Sequence, residues 1–253
     1  MKTYRASRVL SSDRKRGSSW PIVVETKAGR CFTKLRGAAQ SPAALVAEVI
    51  VAELAEAIGL RVPARSLIRI DEELKREDRN QELGDLLRAS RGLNLGFHFL
   101  DGAVDFRPQD IARVTSDEAS MVVWLDWLVM NPDRTLLNPN MLFWKGELWL
   151  IDHGSALMFH HAWSSVREDS PRRNAFSLAT HVLAERATQL AEWDPLLAER
   201  LDRDILRAAV EAAPDDFLWP LLSQEASTAQ LARRREAYVA FLWKRLKPPR
   251  TIS

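Results

Sequence analysis

One cysteine, Cys31, is all the chain contains, so no internal disulfide can form and a reducing compartment, the cytoplasm, is expected. No apolar run is long enough to span a membrane, and the first residues lack the apolar core of a signal peptide. The glycine signatures G-x-G-x-x-G and Walker A are missing, so phosphate binding cannot be argued from either. No G-x-S-x-G or Cys/His nucleophile pattern is present, which removes the usual support for a hydrolase. His160-His161 and Cys31 do not have metal-ligand spacing, so a zinc site is not expected. Repeats and low-complexity segments are also absent.

What is present is a chain of 253 residues, enough for one large domain or two lobes. Nine Trp sit mostly in apolar patterns and read as core. The net charge is only +2, but residues 1–37 hold ten Lys/Arg against two Asp/Glu, a local +8 that leaves −6 over the remainder. Such a front end attracts phosphates or acidic partners. Nucleic acid is not expected, because no aromatic or glycine pattern of an RNA or DNA module accompanies the charge.

Along the chain, residues 1–16 read as an edge strand and a loop. Pro21–Glu25 and Arg30–Leu35 read as an antiparallel pair across Lys27-Ala28-Gly29. Ser41 as N-cap and Pro42 at the first turn open a helix over 43–58, stopped by Gly59. A strand is expected over Arg65–Ile70, and a solvated helix or insertion over the charge-dense 71–91. Leu93–Leu100 reads as a strand crossing between lobes, with Gly96–Leu100 as the candidate hinge. Helices are expected over 108–114, 117–130, 175–190, 195–213, 215–222 and 228–246. A sheet-rich front containing one helix, followed by a helical back half, suggests two lobes with a cleft between them.

The most informative stretch is Asp133-Arg-Thr-Leu-Leu-Asn138-Pro-Asn140, followed by Leu148-Trp-Leu-Ile-Asp152-His-Gly154. Asp133 and Asn138 have the D-x-x-x-x-N spacing by which a kinase loop offers one base and one metal ligand. Two strands with Lys145-Gly146 at their turn then deliver Asp152, a carboxylate on a sharp turn. Phosphoryl transfer needs phosphates held, a divalent metal placed and an acceptor hydroxyl aimed. Asp133 is the candidate base; Asn138 and Asp152 are the candidate Mg²⁺ ligands. Lys34 on its strand is the candidate for the ATP phosphates, with Glu48 as its ion-pair partner if the helix turns it inward. Ser18 and Ser19, after Gly17, are candidates for phosphate contact. Read individually, Lys34 and Glu48 also fit exposed positions, and the Asn-Pro and Asp-His-Gly pieces also fit ordinary turns. Asp126 fits either a partner of the loop or a solvated helix face. His153 fits a support for the Asp152 turn or a structural histidine, and Arg233-Arg234-Arg235 fits a solvated helix face.

These residues resemble the HipA-like kinase family: Lys34 on a strand, Glu48 in its helix followed by Gly59-Leu-Arg-Val-Pro63, then Asn131–Asn140 and Ile151-Asp-His-Gly154. The resemblance spans roughly residues 15–160, and its specific part is Asp133–Gly154. It implies an α+β, bilobed protein-kinase-like fold, with a small β-rich N-lobe over 1–100 and a larger helical C-lobe over 101–253. It also implies a catalytic layout shared with phosphatidylinositol 3-/4-kinase-like enzymes, ATP and Mg²⁺ as cofactors, and transfer to Ser or Thr of a protein. In relatives of that family a loop serine can be autophosphorylated, which ejects the loop and silences the kinase; Ser18 or Ser19 would be the serine. No His-Arg precedes Asp133, no Phe separates Asp152 from Gly154, and Ala-Pro-Glu is absent, so an ordinary eukaryotic-type protein kinase is not expected. The length leaves little room for the extra N-terminal subdomain of HipA toxins, so a toxin role through that subdomain is not expected. Two other functions fit the same residues: a lipid or small-molecule kinase, and a nucleotide-binding pseudokinase or adaptor. Residues 155–175, with Arg167, Arg172 and Arg173, are the expected acceptor-side loop.

Overall fold

The structure is a computed structural model that describes residues 1–12, 20–38, 41–77, 80–173 and 176–252. Its front is a six-stranded sheet built from β1 (Thr3–Arg5), β2 (Arg8–Ser12), β3 (Ile22–Thr26), β4 (Gly29–Lys34), β5 (Arg65–Ile70) and β6 (Gly92–His98). The strand order is β1-β5-β6-β4-β3-β2. Only β1 and β5 run parallel; the other pairs are antiparallel. The expected edge strand near the N-terminus is therefore two strands, one on each edge of the sheet. Thr26 shapes the β3–β4 turn, accepting from the Ala28 amide at 3.0 Å and donating to the Gly29 carbonyl at 2.9 Å. Gly29 closes that turn at φ +102°, where a side chain would be strained.

Alternation along the strands gives the sheet two buried faces. One carries Leu95 and Phe97 and joins the main core. The other carries Ile22, Val24, Cys31, Ile68 and Ile70 and forms a second core. Helix α1 (Ser41–Ala57) lies in the main core and is buried nearly all round, including Glu48. It packs against both sheet and back-half helices, which is why apolar residues run nearly all round it, with Glu53 and Glu56 near its C-terminus pairing with Arg65. Helix α2 (Gln81–Ala89), capped by the Asn80 side chain, covers the second face with Leu83 and Leu87. This corrects the expectation that 71–91 is simply solvated: one leucine face is buried at i, i+4 spacing.

After β6 the chain turns at Gly102 into a three-stranded sheet of β7 (Val104–Asp105), β8 (Met141–Trp144) and β9 (Glu147–Leu150). Lys145 and Gly146 both take positive φ, the geometry that suits a two-residue hairpin. Helix α3 (Ser116–Leu128), N-capped by Thr115, runs into the Asp133 loop with Trp124 and Trp127 in the core. The back half is completed by α4 (Leu190–Arg200), α5 (Arg203–Glu211), α6 (Asp215–Leu218) and α7 (Thr228–Leu246).

Two helix expectations are corrected. Residues 176–189 hold only a short 3-10 turn, Leu178–Thr180, and a series of local turns, because two of their amides are drawn to tertiary partners: Val182 donates to the Arg134 carbonyl at 3.0 Å and Gln189 to Ser120 Oγ at 3.0 Å. The stretch 195–213 is two helices, since Asp202 caps α5 by accepting from the amides of Asp204 and Ile205. Among the described residues, no helix is long and apolar enough to cross a membrane.

Candidate active site

Lys34 ends β4 on the sheet face that meets α1, and Glu48 projects from the middle of α1 toward it. The ammonium is hydrogen-bonded to Glu48 Oε1 and, at 2.6 Å, to Asp152 Oδ1. Lys34 is 6% exposed and Glu48 fully buried. The inward reading of Glu48 therefore holds in this fold, and the reading of Lys34 as an exposed strand residue does not. Burial works against the charge on Lys34, but Glu48 and Asp152 more than offset it and hold the ammonium above its ordinary pKa. Burial raises Glu48, with Lys34 opposing. Burial likewise acts to raise Asp152, but Lys34 holds it below its ordinary value. Asp152 follows β9 at φ +56°, a left-handed turn that aims its carboxylate back at the sheet.

A second cluster lies on the loop after α3. Asp133 Oδ2 accepts from Asn138 Nδ2 at 2.9 Å, Asn140 Nδ2 at 3.3 Å and Ser155 Oγ at 3.3 Å. The turn is closed by Thr135 and Asn138, whose backbones exchange hydrogen bonds. Because its amide nitrogen faces Asp133, the Asn138 side-chain oxygen is left as an acceptor at an exposed position. Ser155 lies three residues beyond Asp152, so it joins the two clusters.

Below this loop, Arg134 is 1% exposed and Asp126 fully buried. Asp126 meets Arg134 Nε at 2.5 Å, His181 Nε2 at 3.0 Å and Asn131 Nδ2 at 2.8 Å. The solvated reading of Asp126 is thereby corrected. Burial alone would raise the Asp126 carboxyl, but the Arg134 charge and the His181 hydrogen bond hold it far below the usual carboxylate range. His153 is buried, and burial together with the nearby Arg134 charge pushes it down to about 3, so the ring is neutral.

Ser18 and Ser19 lie outside the described residues. The expected acceptor-side arginines are largely occupied: Arg172 donates to the carbonyls of Lys247 and Pro249, and Arg173 pairs with Asp169 at 2.9 Å. The arginine run in α7 is not simply solvated either, because Arg235 donates to the carbonyls of Val210 and Ala213. Sequence reasoning missed Asn140, Ser155, Arg134 and His181 as members of the site. Arg134 carries a readable signal, a cation adjoining Asp133 in the loop that follows Asp126 and its apolar helix neighbours; His181 carries none.

Oxygen donors dominate the two clusters, and among the described residues no group of three or more His, Cys, Asp or Glu could hold a metal. A partly exposed carboxylate on Asp152 and a free amide oxygen on Asn138 fit a hard cation that takes its remaining ligands from phosphate and water.

The sequence profile described as HipA-like kinase matches residues 9–232. No curated protein sequence matches the chain. Among solved structures, the chain is similar to the Helicobacter pylori proinflammatory kinase CtkA, at 13% identity and a TM-score of 0.51, over 93% of this chain and 95% of that one. That likeness carries the fold, a bilobed kinase-like one with a curled sheet and a helical C-terminal part.

Proposed function

Since the chain belongs to the HipA-like kinase family, we propose that it is an ATP-dependent phosphotransferase acting on Ser or Thr of a protein, with its site at Lys34, Asp133, Asn138 and Asp152. The observation that carries the proposal is the buried Lys34, held between Glu48 of α1 and Asp152 of the β9 turn. A lysine fixed in that way presents a permanent charge to nucleotide phosphates, with Glu48 setting its direction. Asp133, braced by three donors, is aimed to orient an acceptor hydroxyl and take its proton. Asn138 and Asp152 would hold Mg²⁺, which when bound neutralises charge on the phosphates and positions them for in-line transfer. Ser18 and Ser19, in the basic segment before β3, would contact phosphate oxygens, and either is a candidate for autophosphorylation. The catalytic layout is that of phosphatidylinositol 3-/4-kinase-like enzymes, and the lobes are assigned to residues 1–100 and 101–253. Little covalent help is required of the protein: positioning and electrostatics carry the reaction.

The test is label transfer from γ-labelled ATP with Mg²⁺ in cell lysate and, separately, onto lipid vesicles, comparing wild type with Asp133→Ala. Asp133-dependent labelling of protein, the chain itself included, is expected. Asp133-dependent labelling of lipid alone would replace the protein acceptor. Equal labelling by wild type and variant would remove Asp133 from the reaction. A Mg·ATP-dependent thermal shift without transfer would mean a nucleotide-binding pseudokinase. Phosphopeptide mapping that finds neither Ser18 nor Ser19 modified would remove the autophosphorylation reading.

A further inference from the structure

An ionic cluster lies buried beneath the Asp133 loop, and phosphoryl transfer as described makes no direct use of it. We propose that Arg134 and His181 are positioning residues that share the Asp126 carboxylate and fix the Asp133 loop between α3, the Asp152 turn and the segment 176–183. The proposal rests on Asp133 acting as the base.

The guanidinium of Arg134 reaches three separate pieces of chain. Its Nε meets Asp126 of α3, its Nη1 donates to the Asn140 carbonyl just before β8, and its Nη2 lies 3.4 Å from His153 Nδ1 in the metal turn. A planar fork with fixed donor directions sets the angles between those pieces, which a lysine or an apolar side chain cannot do. Desolvating such a pair costs several kcal/mol, and apolar residues of the same volume would pack without that cost. Direction is what the ionic groups supply.

Asp126 extends the control to Asp133 itself. It accepts from Asn131 Nδ2, and Asn131 Oδ1 in turn accepts from the Asp133 amide at 3.1 Å. The other arm of Asp126 goes to His181. His181 Nδ1 accepts from the Leu183 amide at 3.0 Å, so Nε2 is the nitrogen that carries hydrogen toward Asp126. The same segment is strapped to the loop by main chain: Thr135 and His181 form an isolated bridge, and Val182 donates to the Arg134 carbonyl. The segment 176–183 thus follows the expected acceptor side in sequence and is tied, through one carboxylate, to the loop carrying the base. A hydroxyl must sit in line with the transferred phosphoryl, and a displacement of about 1 Å costs on the order of a hundredfold in rate. Residues that hold the base to that tolerance act on turnover rather than on nucleotide affinity.

The experiment compares Arg134→Lys, His181→Ala, His181→Gln and Asp133→Ala with the wild-type chain. Turnover is measured with γ-labelled ATP, Mg²⁺ and dephosphorylated casein, with self-labelling counted alongside. Arg134→Lys and His181→Ala are expected to lower kcat by about tenfold or more while KM for Mg·ATP stays within about threefold. His181→Gln, whose terminal NH₂ can reach the same carboxylate, is expected to recover most of the loss. Unchanged kcat in both variants would overturn the proposal, as would kcat and nucleotide affinity falling together, the pattern of a merely structural role. If Arg134→Lys does not fold, the contrast between His181→Ala and His181→Gln decides alone. Full activity in Asp133→Ala would instead remove the assignment of the base and leave the proposal without its premise.

Discussion

Replacing Glu48 by Gln removes one charge from the buried Lys34–Glu48–Asp152 group and almost no volume. Glu48 is fully buried and Lys34 nearly so, so the lost charge is not replaced by water. Removing one partner of a buried ion pair costs about 3–5 kcal/mol, because the other charge is left uncompensated. Here Lys34 keeps Asp152 at 2.6 Å, which places the expected loss at the lower end. For a chain of this size a loss of about 3 kcal/mol corresponds to a Tm lower by roughly 6–12 °C. A second effect follows from geometry. Without Glu48 the ammonium leans on Asp152 alone and competes there with a bound cation, so KM for Mg·ATP is expected to rise about tenfold, or about 1.4 kcal/mol. Calorimetry of the free protein and steady-state labelling give the two numbers. A Tm within about 2 °C of wild type would refute the reasoning. It would mean that Glu48 carries a proton in the native state, where glutamine is nearly isosteric with the acid and Lys34 is held by Asp152 alone.

Asp152→Asn should abolish most of the stabilisation that Mg·ATP confers, about 2.7 kcal/mol at a hundredfold excess over Kd, measured as a ligand-dependent thermal shift; an undiminished shift would remove Asp152 from the metal site. His160 is buried against Tyr238 and His161, and burial first, then the neighbouring His161 and Arg234, depresses it from 6.5 to about 3. Below 6.5 the unfolded chain binds a proton that the native ring refuses, so this stability is present above 6.5 and lost as pH falls toward 3. His160 accounts for a loss of about 1.4 kcal/mol by roughly pH 5.5, and His160→Gln should make that part of the urea-denaturation profile shallower by that amount, with His153 keeping its own share; parallel profiles for the two proteins would refute it. Gly96 lies in β6 where a Cβ would stand 2.4 Å from Ile68 Cγ1, so Gly96→Ala should cost about 1–3 kcal/mol in a urea titration. An unchanged midpoint would show that Ile68 can move aside.

Local chemistry made much of the fold readable. Strand β5 and helix α7 fall on their expected bounds because alternation in Arg65–Ile70 and the Ser227 cap with its Gln230 partner are local signals. The β8–β9 hairpin was equally legible, since two short apolar runs flank Lys145-Gly146 and the glycine takes positive φ without strain. The order of Lys34, Glu48, Asp133, Asn138 and Asp152 was likewise visible as a spacing. Whether Lys34 and Glu48 are exposed or paired was not, because α1 carries glutamates of both kinds: Glu48 is buried, while Glu53 and Glu56 reach Arg65 near the surface. Burial of Glu48 follows from packing α1 against both the sheet and the back-half helices. The segment 176–189 misled for a different reason. Its apolar pattern suits a helix, but the Val182 and Gln189 amides go to Arg134 and Ser120, partners far away in the chain, and the amides between them close short local turns. The sequence by itself therefore determined β5, the β8–β9 hairpin, α7 and the residue types available for chemistry, which depend on near neighbours. Only the tertiary structure decided which charges lose their water. That step joined Lys34 at the end of β4 to Asp152 of the β9 turn, and Asp126 to His181 beneath the loop, because a buried charge must find its partner wherever the fold brings one.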